Sequence, residues 1–436
     1  MFDYICAPAT PLLSSAVSIV RVSGPDLRSK LKPLVNLPAP MRVALRTLVW
    51  NRYVERAVVL FFCGSKSYTG EDLVEFQLHG NPLLVRRFID YLISLGIRLA
   101  EPGEFTRRAL LNGKQNLIEV EALRELINAT VDTQLRQAQA MAGGLPDWIH
   151  NAKDFLVPWL ALVEADIDYG EESDVIFDIN ELKANLLPLK HMLDAEYKRA
   201  SAAKWLLDGI SVALVGSPNA GKSTLFNAMA GIDRAIVTDI PGTTRDVLEI
   251  QTDWAGLPLL LFDTAGLRSS EDPIELLGIA RVRGVLERAD LIIYLVPITD
   301  RLPDPYIMEQ LAQFTGKVMI VRSKADLGER LTSTVEPCIS VANGDLAPLA
   351  VAIREHFLGE LSPDACLGAM ATRRQRELLN ELIVQMDMLF SLETESPPEL
   401  AASALQGAWG LLMRLTGEDR ADSTLDKLFS EFCLGK

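Results

Sequence analysis

The sequence has little of what builds disulfide scaffolds and metal centres. It holds five cysteines and four histidines in 436 residues. Cys6, Cys63, Cys338, Cys366 and Cys433 are scattered, with no Cys-x-x-Cys pair and no histidine cluster. That spacing excludes a disulfide framework and a structural zinc site, and it fits a reducing compartment. No apolar run reaches transmembrane length. The start, "MFDYICAPATPLL", lacks the basic residues and unbroken apolar stretch of a signal peptide. Repeats, low-complexity tracts and a dinucleotide-binding glycine fingerprint are also missing. Positive charge is short: 43 Lys and Arg face 58 Asp and Glu, for a net −15. Sequence-independent capture of nucleic acid by the isolated chain is therefore not expected, although the net charge leaves room for a local basic face. A soluble cytoplasmic protein is the expectation.

What is there is a globular balance of 49% hydrophobic and 23% charged residues. The length calls for several domains. Residues 1–115 mix β-type runs, "AVSIVRV" and "RAVVLFF", with one helix, "NPLLVRRFIDYLISLG", and the turn signals "SGP", "YTGED" and "EPGE". This pattern predicts an α+β domain. From residue 116 the period changes: Leu117, Val120, Leu123, Leu126 and Ile127 recur at helical spacing. Helical patterns run to 206, with breaks expected at Pro146 and Pro158, and return over 369–436, where "TESPPEL" reads as a loop. Between them, 207–368 alternates apolar strands and helices in the manner of a parallel sheet. An α/β domain is thus inserted into an all-α one.

The inserted segment carries phosphate chemistry. "ISVALVGSPNAGKSTLFNAMAG" places an apolar strand before Gly216-x-x-x-x-Gly221-Lys222-Ser223 and a helix after it. The glycines let backbone N–H groups turn inward around phosphates, Lys222 brings a charge, and Ser223 a hydroxyl for magnesium. "PLLLFDTAG" follows, with Asp263 to hold magnesium through water and Gly266 to sense the terminal phosphate. Thr244 of "TDIPGTTRD" supplies a second hydroxyl for magnesium. In "KVMIVRSKADL", Asp326 can accept two hydrogen bonds from guanine; adenine would leave that carboxylate unpaired. With Thr244 lying between the phosphate loop and Asp263, the four elements stand in the correct order along the chain for a GTPase.

Three departures qualify the pattern. Guanine-binding loops usually read Asn-Lys-x-Asp, whereas here Ser323 stands first; it is expected to lack the contacts of an amide to neighbouring loops and to weaken nucleotide affinity. The last guanine loop, Ser340-Val341-Ala342, is loose. Leu267 occupies the position after Asp-x-x-Gly where Ras-like proteins place a water-orienting glutamine. Arg245 and Arg268 lie nearby but fit structural roles better than an arginine finger. Asn219, with the carbonyl-rich "TDIPGT" loop, could hold a monovalent cation, or Asn219 could merely cap the turn.

"PNAGKST", "AIVTDIPGTTRD", "FDTAGLR", "PGEFTRRALLNGK" and the terminal Cys-x-Gly-Lys together resemble the MnmE (TrmE) family of tRNA modification GTPases, over the whole chain. The resemblance implies a Ras-like P-loop GTPase domain in a helical domain, behind an N-terminal domain like the tetrahydrofolate-binding fold of aminomethyltransferases. It implies potassium-stimulated hydrolysis upon G-domain dimerisation, with Asn219, Thr238, Ile240 and Thr243 holding potassium. It extends the nucleotide site over Asn219, Ala220, Gly221, Lys222, Ser223 and Thr224, then Thr238, Asp239, Ile240, Pro241, Gly242, Thr243 and Thr244. Asp263, Thr264, Ala265, Gly266, Ser323, Lys324, Ala325, Asp326, Ser340, Val341 and Ala342 complete it. Glu275 matches a glutamate that orients the attacking water, although a first-turn helix residue is the plainer reading.

The same resemblance assigns Arg21, Glu75, Lys114 and Lys436 to 5-formyltetrahydrofolate or a related one-carbon folate. A pterin edge offers N–H donors to Glu75, and an anionic tail suits Arg21 and Lys114. Read singly, each is a solvated surface charge. Where the family has a glycine-rich stretch, this chain reads "TPLLSSAVSIV". The implied partners are a second copy through the N-terminal domain, a flavin-dependent MnmG (GidA)-type protein in a heterotetramer, and tRNA. FAD and NADH would belong to that partner, and the product is an aminomethyl or carboxymethylaminomethyl group at C5 of the wobble uridine. A ribosome-assembly GTPase of the Era or Der kind is the competing reading, against which stand the acidic charge and the lack of a KH-like domain. "ATRRQRE" could touch RNA phosphates or simply open an exposed helix. Leu425, Leu428, Phe429 and Phe432 form a stripe that predicts a packed C-terminal helix. Cys433 is then either a buried structural thiol or a participant in the modification chemistry.

Overall fold

The computed structural model describes residues 3–169, 177–231, 236–237, 249–262, 283–300, 302–314, 316–328, 336–419, 428, 429, 432 and 435. The chain divides into two compact units, Met1–Val120 with Met413–Lys436, and Glu121–Leu412.

The first unit is built on a six-stranded sheet in the order β3-β4-β5-β2-β1-β6. Its strands are β1 (Ile5–Pro8), β2 (Ser15–Gly24), β3 (Arg42–Trp50), β4 (Tyr53–Phe62), β5 (Asp72–Gly80) and β6 (Arg98–Leu99). β1 and β6 pair in parallel and the other neighbours antiparallel. Alternation places Ala57, Val59 and Phe61 of β4 inward. A short helix, α1 (Leu27–Lys30), precedes β3. α2 (Pro82–Ser94) starts where Asn81 accepts from the amides of Leu83 and Leu84, with Pro82 in the first turn. It lays Val85, Phe88 and Leu92 on the sheet, with Phe88 edge-on to Trp50 and Phe76. α3 (Glu104–Leu111) follows Gly103, whose φ of 69° lies in the left-handed region.

The second unit holds a helical part and a second six-stranded sheet, β12-β11-β7-β10-β9-β8. Its strands are β7 (Ile210–Gly216), β8 (Ile236–Val237), β9 (Glu249–Trp254), β10 (Leu257–Phe262), β11 (Leu291–Pro297) and β12 (Val318–Ser323). β12, β11, β7 and β10 are parallel, and β9 and β8 add antiparallel at one edge. β11 is buried along its whole length, as expected of a parallel strand covered on both faces.

The helices are α4 (Leu117–Asn128), α5 (Asp132–Met141), α6 (Asp147–Tyr169) and α7 (Ile179–Asp208), then Arg373–Ser391 and Pro398–Thr416. α7 buries Leu182, Leu186, Leu189, Leu193, Glu196, Ala200, Ala203 and Leu207. That alternation of steps of four and three is a coiled-coil seam. It packs against Arg373–Ser391, which buries Gln375, Leu379, Leu382, Met386 and Leu389 at matching spacing. Lys190 pairs with Asp387, and Lys183 donates to the Leu392 carbonyl, so the two run antiparallel. Glu196 sits in the seam, where burial raises its carboxyl although Arg199 opposes this at 2.6 Å.

The expected break at Pro158 does not occur. Pro158 lies inside α6, and Pro188 lies inside α7. Both are on solvent-exposed faces, where water can satisfy the carbonyl each proline leaves unbonded. The helix stripe after residue 116 is buried at Leu117 and Val120, half-buried at Leu123 and Leu126, and exposed at Ile127. α7 runs into β7 through a single residue, Gly209, at φ 80°.

Candidate functional site

β7 is flanked by β10 on one side and β11 on the other, so the strand order reverses there. In such sheets ligands bind beyond the carboxyl ends of the strands at this switch point. Gly216 ends β7 against β11: a Cβ there would stand 2.6 Å from the Leu295 carbonyl oxygen. Asn219 (φ 62°) and Gly221 (φ 97°) turn the loop through left-handed conformations, and Lys222 opens α8 (Lys222–Ala230). The first amides of α8 face the loop without helical partners, which makes its N-terminus an anion site. Lys222 Nζ donates to the carbonyls of Gly216 and Ser217 at 2.8 and 2.9 Å. Ser223 and Thr224 are exposed on the first turn.

The loops at Ser323–Asp326 and Ser340–Ala342 converge on the same edge. Ser323 ends β12, 3% exposed, and its hydroxyl donates to the Ala220 carbonyl at 2.7 Å. The hydroxyl thus reaches a neighbouring loop, because a short side chain suffices where the backbones lie this close. Lys324 adopts φ 58° and the Ala325 amide donates to the Ile339 carbonyl at 3.0 Å. The Ser340 hydroxyl donates to Asp326 Oδ1 at 2.6 Å. That bond holds the Asp326 carboxyl below the usual range, so the side chain is anionic at neutral pH. Val341 and Ala342 lie in the turn after Ser340, which the Asn343 amide closes onto the Ser340 hydroxyl at 3.3 Å. The tie from Ser340 to Asp326 was not legible in the sequence, and neither was that from Ser323 to Ala220.

Several expected site residues lie outside the described ones: Thr238, Asp239, Ile240, Pro241, Gly242, Thr243, Thr244, Asp263, Thr264, Ala265, Gly266, Glu275, Cys433 and Lys436.

In the first unit, Arg21 and Glu75 are register partners on β2 and β5. Arg21 Nε and Nη2 both donate to Glu75 Oε1, at 3.1 and 2.8 Å. Arg21 Nη1 donates to the Gly435 carbonyl at 3.1 Å. The guanidinium also lies 5.6 Å from the Tyr68 ring and 5.7 Å from the Phe105 ring. The Tyr68 hydroxyl shares a 2.8 Å hydrogen bond with Thr106, and burial raises its pKa. Tyr68, Phe105 and Thr106 were missed from the sequence; a tyrosine inside the turn "SYTGED" is the trace they leave. Lys114 is exposed and its ammonium donates to the Ser65 carbonyl at 2.8 Å. Beside this site a buried Arg108 is held by Asp3, Glu71 and Glu104 at 2.8 to 3.0 Å, which fixes the start of α3 against β1.

Comparison with known proteins places the chain in a family. Residues 4–114 match the model described as GTP-binding protein TrmE N-terminus, and 117–433 match the MnmE helical domain. A tRNA modification GTPase MnmE from Methylobacterium radiotolerans is 38% identical over 452 residues, 100% of this chain and 99% of that protein. The chain belongs to the MnmE family of tRNA modification GTPases. Namesakes from Thermotoga maritima and Thermus thermophilus are 35% and 36% identical over 100% of this chain, and over 100% and 99% of their own lengths. Among solved structures, the G domain of the T. maritima FeoB iron transporter matches 34% of this chain and 98% of its own, at 26% identity and a TM-score of 0.27. Among the described residues no helix is long and apolar enough to cross a membrane.

Proposed function

We propose that this protein hydrolyses GTP as one subunit of a complex that adds an aminomethyl or carboxymethylaminomethyl group to C5 of the tRNA wobble uridine. The observation that carries the hydrolytic half is the constellation at the end of β7. The Gly216–Ser223 loop enters a helix N-terminus, and Ser323 ties it to the loop that holds an ionised Asp326. Family membership over the full length carries the tRNA half and favours it over a ribosome-assembly switch.

The residues present suit the ions this reading requires. Ser223 offers a hydroxyl on the exposed first turn of α8, a hard oxygen donor fit for magnesium. Asn219 offers an amide oxygen on a left-handed turn beside it, fit for potassium. When bound, the cations neutralise charge that develops on the transferring phosphoryl group. The chain's own part is to cradle phosphates with the α8 amides, to place the Lys222 ammonium, and to read guanine through Asp326. Glu275 as the residue that orients water, and Thr238, Ile240, Thr243 and Thr244 as further ion ligands, belong to the same proposal.

In the first unit Glu75 Oε1 is taken by Arg21 while Oε2 has no partner among the described residues, so it can accept from the N–H edge of a reduced folate. Lys114 and Lys436 complete that binding proposal. A homodimer through this unit is supported by β3, a sheet edge that exposes Val43, Leu45 and Val49 beside Val54 of β4. Flavin and NADH belong to an MnmG-type partner. The test has two arms: GTP turnover in potassium against sodium buffer, and nucleoside mass spectrometry of tRNA from a deletion strain carrying this protein. Turnover several-fold faster in potassium and restored modified uridine are expected; equal turnover in both salts, or unmodified tRNA, would refute the corresponding half.

A further inference from the structure

The end of the chain makes two contacts that admit no side chain. Gly103, at the start of α3, lies under the C-terminal segment: a Cβ there would stand 2.8 Å from the Phe429 carbonyl oxygen and 3.1 Å from Phe432 Cβ. Phe429 and Phe432 are buried, their rings 5.9 Å apart. Gly435 is buried too, at φ 90°, and a Cβ on it would stand 2.2 Å from the Pro8 carbonyl oxygen and 3.0 Å from Ala9 Cα. These neighbours are backbone atoms of β1 and its exit, which cannot swing aside as a side chain does. Between Gly435 and Glu75 stands Arg21, whose Nη1 holds the Gly435 carbonyl while Nε and Nη2 hold Glu75 Oε1. The three donors point to two partners that lie 360 positions apart in sequence.

We propose that Gly103 and Gly435 form a two-point latch for the C-terminal segment, and that Arg21 is a positioning residue that sets this segment in register with the free oxygen of Glu75. The inference rests on the folate reading of this site and assigns Arg21 a second duty there. A planar fork is needed for it. An ammonium at the same place lacks the fixed geometry that serves a carboxylate and a carbonyl in different directions.

The test uses the full-length protein. Hydrogen exchange of the C-terminal peptide covering 428–436 reports docking, tRNA modification in the deletion strain reports positioning, and GTP turnover reports that each variant has folded. Gly435→Ala should speed exchange of that peptide about tenfold or more, with a comparable loss of modification. Gly435→Asn separates sterics from backbone preference, since asparagine tolerates a left-handed φ but still carries a Cβ into Pro8. It should behave as alanine does. Arg21→Lys should release the segment likewise, and in hydrogen exchange Arg21→Lys combined with Gly435→Ala should be no faster than Gly435→Ala alone, the signature of one shared contact. Wild-type exchange in both Gly435 variants would overturn the latch. Faster exchange with undiminished modification, or additive acceleration of exchange in the double variant, would overturn the positioning role of Arg21. A wild-type chain that protects its end but leaves uridine unmodified would sink the functional reading and leave the latch standing.

Discussion

Replacing Ser323 with alanine isolates the tie between the base-side loop and the phosphate loop. The Ser323 hydroxyl donates at 2.7 Å to a carbonyl of Ala220, a residue with no solvent exposure. Removing the donor strands that oxygen, and a buried acceptor without a partner costs about 1–3 kcal/mol. The nucleotide-free loop can escape the cost by shifting until water reaches the carbonyl. Nucleotide binding needs the turned loop, so the penalty returns as lost affinity. At about 1.4 kcal/mol per tenfold, the GDP dissociation constant should rise roughly 5- to 150-fold. Titration calorimetry with GDP reads this directly, and the urea unfolding midpoint should move little. Ser323→Asn restores a donor that can reach the same carbonyl and should bind at least as tightly as wild type. An alanine variant that binds GDP within about twofold of wild type would refute the argument, since that is less than the smallest expected effect.

Asp326→Asn should shift preference from guanine towards xanthine nucleotides, because an acceptor in the loop becomes a donor; undiminished GTP binding would remove Asp326 from base recognition. Ser340→Ala should move the acid limb of GDP binding upward. The Ser340 bond lowers the Asp326 pKa from the ordinary value of 3.8, so binding that needs the anion persists above the lowered value and is lost as pH falls through it. Without the hydroxyl, that loss starts at higher pH, and unchanged acid limbs would refute it. Arg374→Ala should cost about 3 kcal/mol in urea unfolding, the low end for breaking a buried pair. Arg374 binds Glu121 at 2.7 Å, and Gln375 Nε2 still donates to that buried carboxylate at 2.6 Å. A loss below about 1 kcal/mol would mean the pair behaves as a surface one.

The features legible in the sequence are those whose causes are local. Glycine spacing after an apolar strand announced the phosphate loop, and the helical run "NPLLVRRFIDYLISLG" announced α2. The Phe429 and Phe432 spacing announced a packed end, and both side chains are buried. What escaped was decided by neighbours distant in the chain. Ser323 looked deficient because the substitution was judged by residue type, while Ala220 stands 103 positions away. Pro158 looked like a break because the rule for proline takes no account of which face meets water. Arg21 could be matched to a charge role, but its bond to Gly435 spans 414 positions and leaves no local pattern.

The discontinuity of the helical part has a consequence for synthesis on the ribosome. α7 carries one side of a coiled-coil seam, and the other side is the helix Arg373–Ser391, completed about 180 residues later. At roughly 5–20 residues per second, α7 waits on the order of 10–40 s before its partner emerges. During that interval Leu182, Leu186, Leu189 and Leu193 have no seam to enter. The intervening β7–β12 sheet has all its strands by Ser323, but the core it shares with α7 also takes Ile339, Leu349, Ile353 and Phe357, so that core closes only shortly before the second seam helix begins. A nascent chain that has exposed residues up to the start of Arg373–Ser391, and no further, should therefore display a folded nucleotide domain beside an unpartnered apolar helix, the state in which this protein has most need of a holdase.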